Sequence, residues 1–198
     1  MTGLASRDPA SPEFWSERFE QHVTPWDRGG VPAALRRYVE RDPRPRTVLI
    51  PGCGTGYEAA YLAAAGWQVA AIDFSAAAVA AARAALGPWG GCVQQADFFS
   101  YVPPAPLQMI YERAFLCALP RRMWPAVAAR WAELLPAGAL LAGFFYFDET
   151  LKGPPFGITP AQLEALLAPG FERIEDEAVD DSIAVFAGKE RWQVWRRR

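Results

Sequence analysis

Thr47-Val48-Leu49-Ile50-Pro51-Gly52-Cys53-Gly54-Thr55-Gly56-Tyr57 is the stretch that decides the fold. It opens as a short apolar run of strand type, turns on its glycines, and continues from Tyr57 to Ala65 as a helix that Gly66 stops. Gly52, Gly54 and Gly56 let the backbone reverse sharply and approach a ligand with no Cβ in the way, and the amides of the following helix point into the same crevice. A nucleotide-like ligand is expected there. The dinucleotide fingerprint G-x-G-x-x-G needs a third glycine at 57, where Tyr57 stands. The spacing found is G-x-G-x-G, which weighs against a nicotinamide enzyme.

Working outward, residues 67–73 read as a second strand ending in Asp73, 21 residues after Gly52. A carboxylate there can accept both hydrogen bonds of a ribose diol. Ser75 can cap the alanine-rich helix 76–86, which Gly87-Pro88 ends. Further strands are expected at 92–95, 107–111 and 139–147, with a helix at 122–135 between the last two. Thr159-Pro160-Ala161-Gln162 has capping-box spacing, so a helix should run to about 168 before two final strands at 171–179 and 183–195, the second interrupted at Ala187-Gly188. Strands alternating with helices, several of them apolar throughout, predict an α/β, Rossmann-like doubly wound sheet, mostly parallel, with helices on both faces. Its ligand crevice lies beyond the carboxyl ends of the strands. Asp97-Phe98-Phe99, just after the third strand, offers a carboxylate to an adenine amino group and an aromatic face to its ring.

Before the first strand, residues 1–12 show no apolar periodicity and read as a loose lead-in, and residues 13–45 as an N-terminal helical lid segment. The whole chain of 198 residues is read as one domain. A net charge of −2 gives no electrostatic reason to bind nucleic acid, the Arg196-Arg197-Arg198 end being the only cationic run. No apolar stretch reaches the roughly 18 residues of a membrane span and no signal-peptide core is seen, so the expected address is the cytoplasm, as a monomer. Three widely spaced cysteines fit neither disulfides nor a zinc pair, and the single His22 rules out a two-histidine metal site. No metal is expected. Trp124, Trp131, Trp192 and Trp195 read as packing residues.

With these pieces in order, the sequence resembles class I S-adenosylmethionine (SAM)-dependent methyltransferases, and among them the thiopurine S-methyltransferase family with its thiol, thiocyanate and halide methyltransferase relatives. The resemblance covers residues 14–197. It is carried by Phe14-Trp15, Val23-Thr24-Pro25-Trp26-Asp27, Ile50-Pro51-Gly52-Cys53-Gly54, Ala96-Asp97-Phe98-Phe99, Tyr111-Glu112-Arg113-Ala114-Phe115, Gly153-Pro154-Pro155-Phe156 and Gly188-Lys189-Glu190-Arg191. It implies a seven-stranded sheet, SAM as cofactor with S-adenosylhomocysteine as product, and a small-molecule acceptor. Trp15, Phe19 and Trp26 would cover SAM, Gly52 and Gly54 would approach its amino-acid end, Asp73 would hold the ribose, and Asp97 with Phe98 would flank the adenine. Phe19 stands where the family commonly has tryptophan. Arg113 matches the thiopurine-type arginine near SAM and the acceptor, whereas Val23-Thr24-Pro25-Trp26-Asp27 and Gly188-Lys189-Glu190 look more like the thiol and halide branch.

The expected reaction is methyl transfer to a small soft nucleophile: a thiol, thiopurine, hydrosulfide, halide, or selenium or tellurium species. Such acceptors need little or no general base, which suits a chain without an evident acid–base dyad. Arg113 is expected to supply positive influence at the acceptor, and Tyr146 with the Gly153-Pro154-Pro155-Phe156 loop to face it. Oxygen or nitrogen methylation, with Asp27 or Glu112 as base, and a SAM-binding protein without catalysis remain as alternatives.

Overall fold

The computed structural model describes residues 6–198. Seven strands form one sheet in the order β3-β2-β1-β4-β5-β7-β6. They are β1 (Thr47–Pro51), β2 (Gln68–Asp73), β3 (Val93–Gln95), β4 (Met109–Arg113), β5 (Leu140–Tyr146), β6 (Phe171–Ala178) and β7 (Glu190–Arg197). β1 pairs parallel with β2 and β4, β2 with β3, and β4 with β5, while β7 runs antiparallel to both β5 and β6. The strand order reverses between β1 and β4, which opens the crevice directly above the glycine turn.

Alternation along β1 sorts the core. Leu49 enters one cluster with Trp124, Val127 and Trp131 of α5 (Trp124–Leu134) and Leu163 and Leu167 of α6 (Pro160–Leu167). Val48 and Ile50 enter the other, with α2 (Ala33–Arg41), α3 (Tyr57–Ala64) and α4 (Ala76–Leu86). Both faces are therefore covered by helices, as near-continuous apolar strands require. Trp124, Trp131, Trp192 and Trp195 are buried in these clusters. The expected caps form: the Ser75 hydroxyl accepts from Ala78 N at 3.1 Å, and Thr159 and Gln162 make a reciprocal capping box.

Four expectations are corrected. Cys92 ends a 3-10 turn, Gly87–Cys92, so the third strand begins at Val93. Residues 183–189 turn instead of extending, with Phe186 N bonded to Ile183 O and Lys189 N to Phe186 O, each at 2.9 Å, so the last strand starts at Glu190. A turn satisfies these amides locally and sends the Phe186 ring out of the sheet. Residues 1–5 of the expected lead-in lie outside the described residues, but residues 6–12 are tied down: Ser6 N donates to Glu17 at 3.0 Å and Trp15 Nε1 to Pro9 O at 2.9 Å. Finally, α2 buries Ala34, Leu35, Tyr38 and Val39 in the core, so it is a layer of the fold and not part of a cover.

The cover is α1 (Pro12–Glu20) and the loop after it. α1 docks at the start of α4, where the Ser16 and Ser75 hydroxyls share a hydrogen bond of 2.9 Å. Farther on, Thr55 donates to Asp27 at 2.5 Å, fastening the loop to the glycine turn.

Candidate active site

A cavity of about 1200 Å³ runs beneath this cover and across the carboxyl ends of the parallel strands. That exceeds the roughly 300–1,000 Å³ of an ordinary small-ligand pocket and leaves room for two reactants. Trp15, Phe19, Trp26, Gly52, Gly54, Asp73, Asp97, Phe98 and Arg113 all line it, although they come from six segments of the chain.

The glycine turn is shaped by what lies against it. Gly52 has φ +58°, and a Cβ there would stand 2.7 Å from Phe115 Cδ2. Phe115 is held in turn by Glu112, whose Oε1 accepts from Phe115 N at 3.0 Å and Leu116 N at 3.2 Å. Asp73 is 6% exposed, and its carboxylate accepts from Gly54 N at 3.1 Å and Ser75 N at 2.9 Å. Each oxygen keeps a lone pair for a further donor such as a ribose hydroxyl. Burial pushes its pKa up to about 6, against these backbone hydrogen bonds. Asp97 is exposed at the rim, with the buried Phe98 beside it packed edge-on against Phe115 at 5.0 Å. Trp26 of the cover packs edge-on against Trp15 at 5.3 Å and Phe19 at 6.1 Å.

Arg113 sits near the middle. Its guanidinium lies 3.7 Å from Glu58 and 3.5 Å from Glu190, and 4.5 Å over the Phe144 ring. Burial raises the pKa of both glutamates despite the pull of Arg113. No local signal along the chain marks this triad. Glu58 simply follows the glycine turn, and Glu190 reaches Arg113 only because β7 pairs beside β5. Nη1 and Nη2 of Arg113 are buried and have no hydrogen-bond acceptor among the described residues. Buried donors of this kind are costly unless something accepts from them.

Tyr146 departs from expectation. It does not line the cavity: its hydroxyl donates to Asp148 Oδ2 at 2.8 Å, and its ring packs against Phe186, which does line it. The Gly153-Pro154-Pro155 segment lines the cavity as expected. Sequence reasoning missed Cys117, which follows β4, and Val185 and Phe186, whose positions depend on the turn that replaces the expected strand. His22 is exposed, and no group of three or more His, Cys, Asp or Glu among the described residues is arranged to hold a metal. No helix among them is long and apolar enough to cross a membrane.

Glu112 gives a pH prediction. Full burial lifts its carboxyl from 4.5 to about 8. A pKa raised on folding means stability fully present below about pH 4.5 and lost as pH rises through 8, by about a few kcal/mol in all. Asp73 adds to the same trend up to about pH 6. The urea midpoint of Glu112→Gln should therefore fall less between pH 5 and pH 8 than that of the parent. Parallel pH profiles would count against a protonated Glu112.

The site fits SAM chemically, with carboxylates for a ribose diol and an adenine amine, aromatic faces for a ring, and unpaired buried donors for a carboxylate. The comparisons agree. The family described as "Thiopurine S-methyltransferase (TPMT)" matches residues 10–198. The chain is 31% identical over 192 residues to "Probable thiol methyltransferase 2" of Arabidopsis thaliana, covering 92% of this chain and 84% of that one. It is 29% identical over 194 residues to a thiopurine S-methyltransferase of Shewanella sp. (strain MR-4), covering 87% and 88%. In fold it is similar to magnesium protoporphyrin IX methyltransferase from Synechocystis PCC 6803, solved with bound SAM, at a TM-score of 0.73 and 15% identity over 100% of both chains. The chain belongs to the thiopurine S-methyltransferase family and is a SAM-dependent methyltransferase.

Proposed function

We propose that this enzyme methylates a small soft nucleophile, such as a thiol, thiopurine, hydrosulfide, halide, or selenium or tellurium species. The observation that carries this reading is the two-ended cavity: carboxylates, glycines and Phe98 at the β1–β3 end, and Cys117, Pro154, Pro155 and Phe186 at the other. The names of the thiol and thiopurine methyltransferase relatives support the same acceptor class.

SAM supplies an activated sulfonium methyl when bound. Asp73 would hold its ribose, Asp97 and Phe98 its adenine, and the turn at Gly52 and Gly54 would let the backbone close on its amino-acid end. Trp15, Phe19 and Trp26 would exclude water from above, which strengthens the electrostatic interactions inside. Arg113 would donate from Nη1 and Nη2 to an anionic group at the junction, while Glu58 and Glu190 balance its charge. The chemistry asked of the protein is orientation and desolvation. Of the candidate bases for oxygen or nitrogen acceptors, Glu112 does not line the cavity, and Asp27 lines it with its oxygens bonded to Gly29 N and the Thr55 hydroxyl.

Incubation with labelled SAM and a panel of hydrosulfide, iodide, thiocyanate, aromatic thiols, thiopurines, and selenium and tellurium oxyanions tests this. Transfer should appear in volatile or extractable sulfur, halide or chalcogen products. Transfer confined to alcohols or amines would refute it. The cover should also respond to SAM: amide exchange in residues 13–30 is expected to slow on binding, with α2 unchanged. Equal protection with and without SAM would remove the lid from the mechanism.

A further inference from the structure

The strand order divides the cavity. The glycine turn follows β1, Asp73 ends β2 and Asp97 follows β3, so the nucleotide-type residues share one side of the crevice. The opposite side lies over β4, β5 and β7, where Cys117, Pro154, Pro155, Val185 and Phe186 form the lining.

Phe186 is the best fixed of these walls. It is 2% exposed and packs edge-on against Tyr146 at 5.6 Å, in a small apolar cluster with Cys117 and Trp26. Tyr146 is anchored behind it. Its hydroxyl donates to Asp148 Oδ2 at 2.8 Å, and Lys189 Nζ donates to the same oxygen at 2.5 Å. Thr150 donates to Oδ1 from its amide and its hydroxyl, each at 3.0 Å. The Phe147 amide bonds Lys189 O at 2.7 Å, so the turn that carries Phe186 is clamped to the end of β5. The Lys189 ammonium, hydrogen-bonded to Asp148, holds that carboxyl well below the usual range, so the clamp keeps its charges across neutral pH. Of the cations near this side, Arg28 meets Asp181 at 3.1 Å, and Arg113 lies between Glu58 and Glu190 with its Nη1 and Nη2 still without a hydrogen-bond acceptor among the described residues.

We propose that Phe186 sets the size of the methyl acceptor, and that Tyr146, Asp148 and Lys189 position Phe186 without touching the acceptor. Among the soft nucleophiles proposed above, the wall so formed favours compact acceptors over a two-ring thiopurine. Tyr146 is a positioning residue here. This inference rests on the proposed soft-nucleophile reading and adds the acceptor's size class to it.

The test compares the parent with Phe186→Ala, Phe186→Leu and Tyr146→Phe. Transfer is measured to hydrosulfide, thiophenol and a two-ring thiopurine, with SAM affinity and thiopurine binding to the S-adenosylhomocysteine complex followed by calorimetry. The parent should prefer the small acceptors. Phe186→Ala should raise both kcat/KM and affinity for the thiopurine by about tenfold or more, with Phe186→Leu shifting the same way by less, and SAM affinity should stay within about twofold. Tyr146→Phe should raise acceptor KM several-fold at nearly constant kcat. An unchanged thiopurine affinity in both Phe186 variants, with SAM still bound, would overturn the inference. A drop in kcat at constant KM for Tyr146→Phe would return that hydroxyl to the reacting atoms and overturn the positioning role. Absence of transfer to any acceptor, with the binding shift present, would overturn the functional reading while leaving the wall intact.

Discussion

Gly143→Ala is expected to cost more stability than the same change at any other described glycine. β5 passes β4 so closely that a Cβ on Gly143 would stand 1.8 Å from the carbonyl oxygen of Glu112 and 2.6 Å from its carbonyl carbon. Both atoms are backbone, in the register pair Glu112↔Gly143 at the centre of the sheet. No rotamer relieves the overlap, so β4 and β5 must separate, displacing Arg113 at the end of β4 and the loop that carries Phe115. A loss above about 4 kcal/mol follows from such a clash, out of a total stability of about 5–15 kcal/mol. Thermal unfolding should fall by about 10 °C or more, or the variant should fail to accumulate as folded protein. Gly91→Ala is the control, since a Cβ there meets nothing within 4 Å. A Gly143→Ala melting point within a few degrees of the parent would show that the strands can part at little cost.

Arg113→Ala should be the next most damaging change, and its cost should depend on pH. Removal of the guanidinium leaves Glu58 and Glu190 buried without their cation and strips a cation from the Phe144 ring. Breaking a buried ionic group from one side costs about 3–5 kcal/mol. Burial already raises both glutamate pKa values, and loss of the arginine raises them further. Carboxyls with raised folded-state pKa values stabilise most when protonated, below the unfolded value of 4.5, and that contribution is lost as pH rises through the folded values. The deficit of the variant should therefore be larger at pH 8 than at pH 5 in urea titrations. Methyl transfer should fall more than about tenfold, and Arg113→Lys should restore charge, and part of both properties, without the planar fork. An equal loss of stability at both pH values would show that the glutamates are not the cause.

Much of this could be read from local chemistry. Val48 to Ile50, the glycine spacing and Asp73 at the next strand end are short-range signals, because strand alternation and a βα turn are decided by neighbours in sequence. The caps at Ser75 and Thr159 are equally local. The separate motifs from Phe14 to Arg191 carried the resemblance to the family, although only folding brought the site residues among them around one cavity.

The same local rules read residues 183–195 as a strand interrupted at Ala187-Gly188, which misplaces its start. Ile183, Val185 and Phe186 have strand-like character, but the bonds from Phe186 N to Ile183 O and from Lys189 N to Phe186 O close a turn. Apolar propensity alone does not say whether a ring enters the sheet core or lines a cavity, because that depends on what the neighbouring elements leave unfilled. Tyr146 fails for a related reason: its place at the end of β5 was legible, while its partners Asp148 and Lys189 were set by the pairing of β5 with β7.

The glycine turn at residues 52–56 and the alternation of strands and helices around it thus determined a doubly wound fold with a nucleotide-type crevice. Tertiary structure alone decided that Glu58 and Glu190 meet across Arg113, that Gly143 admits no side chain, and that Phe186 walls the far end of the cavity. These are contacts between residues distant in the chain, and their energies come from burial, charge pairing and close packing, which no window of sequence contains.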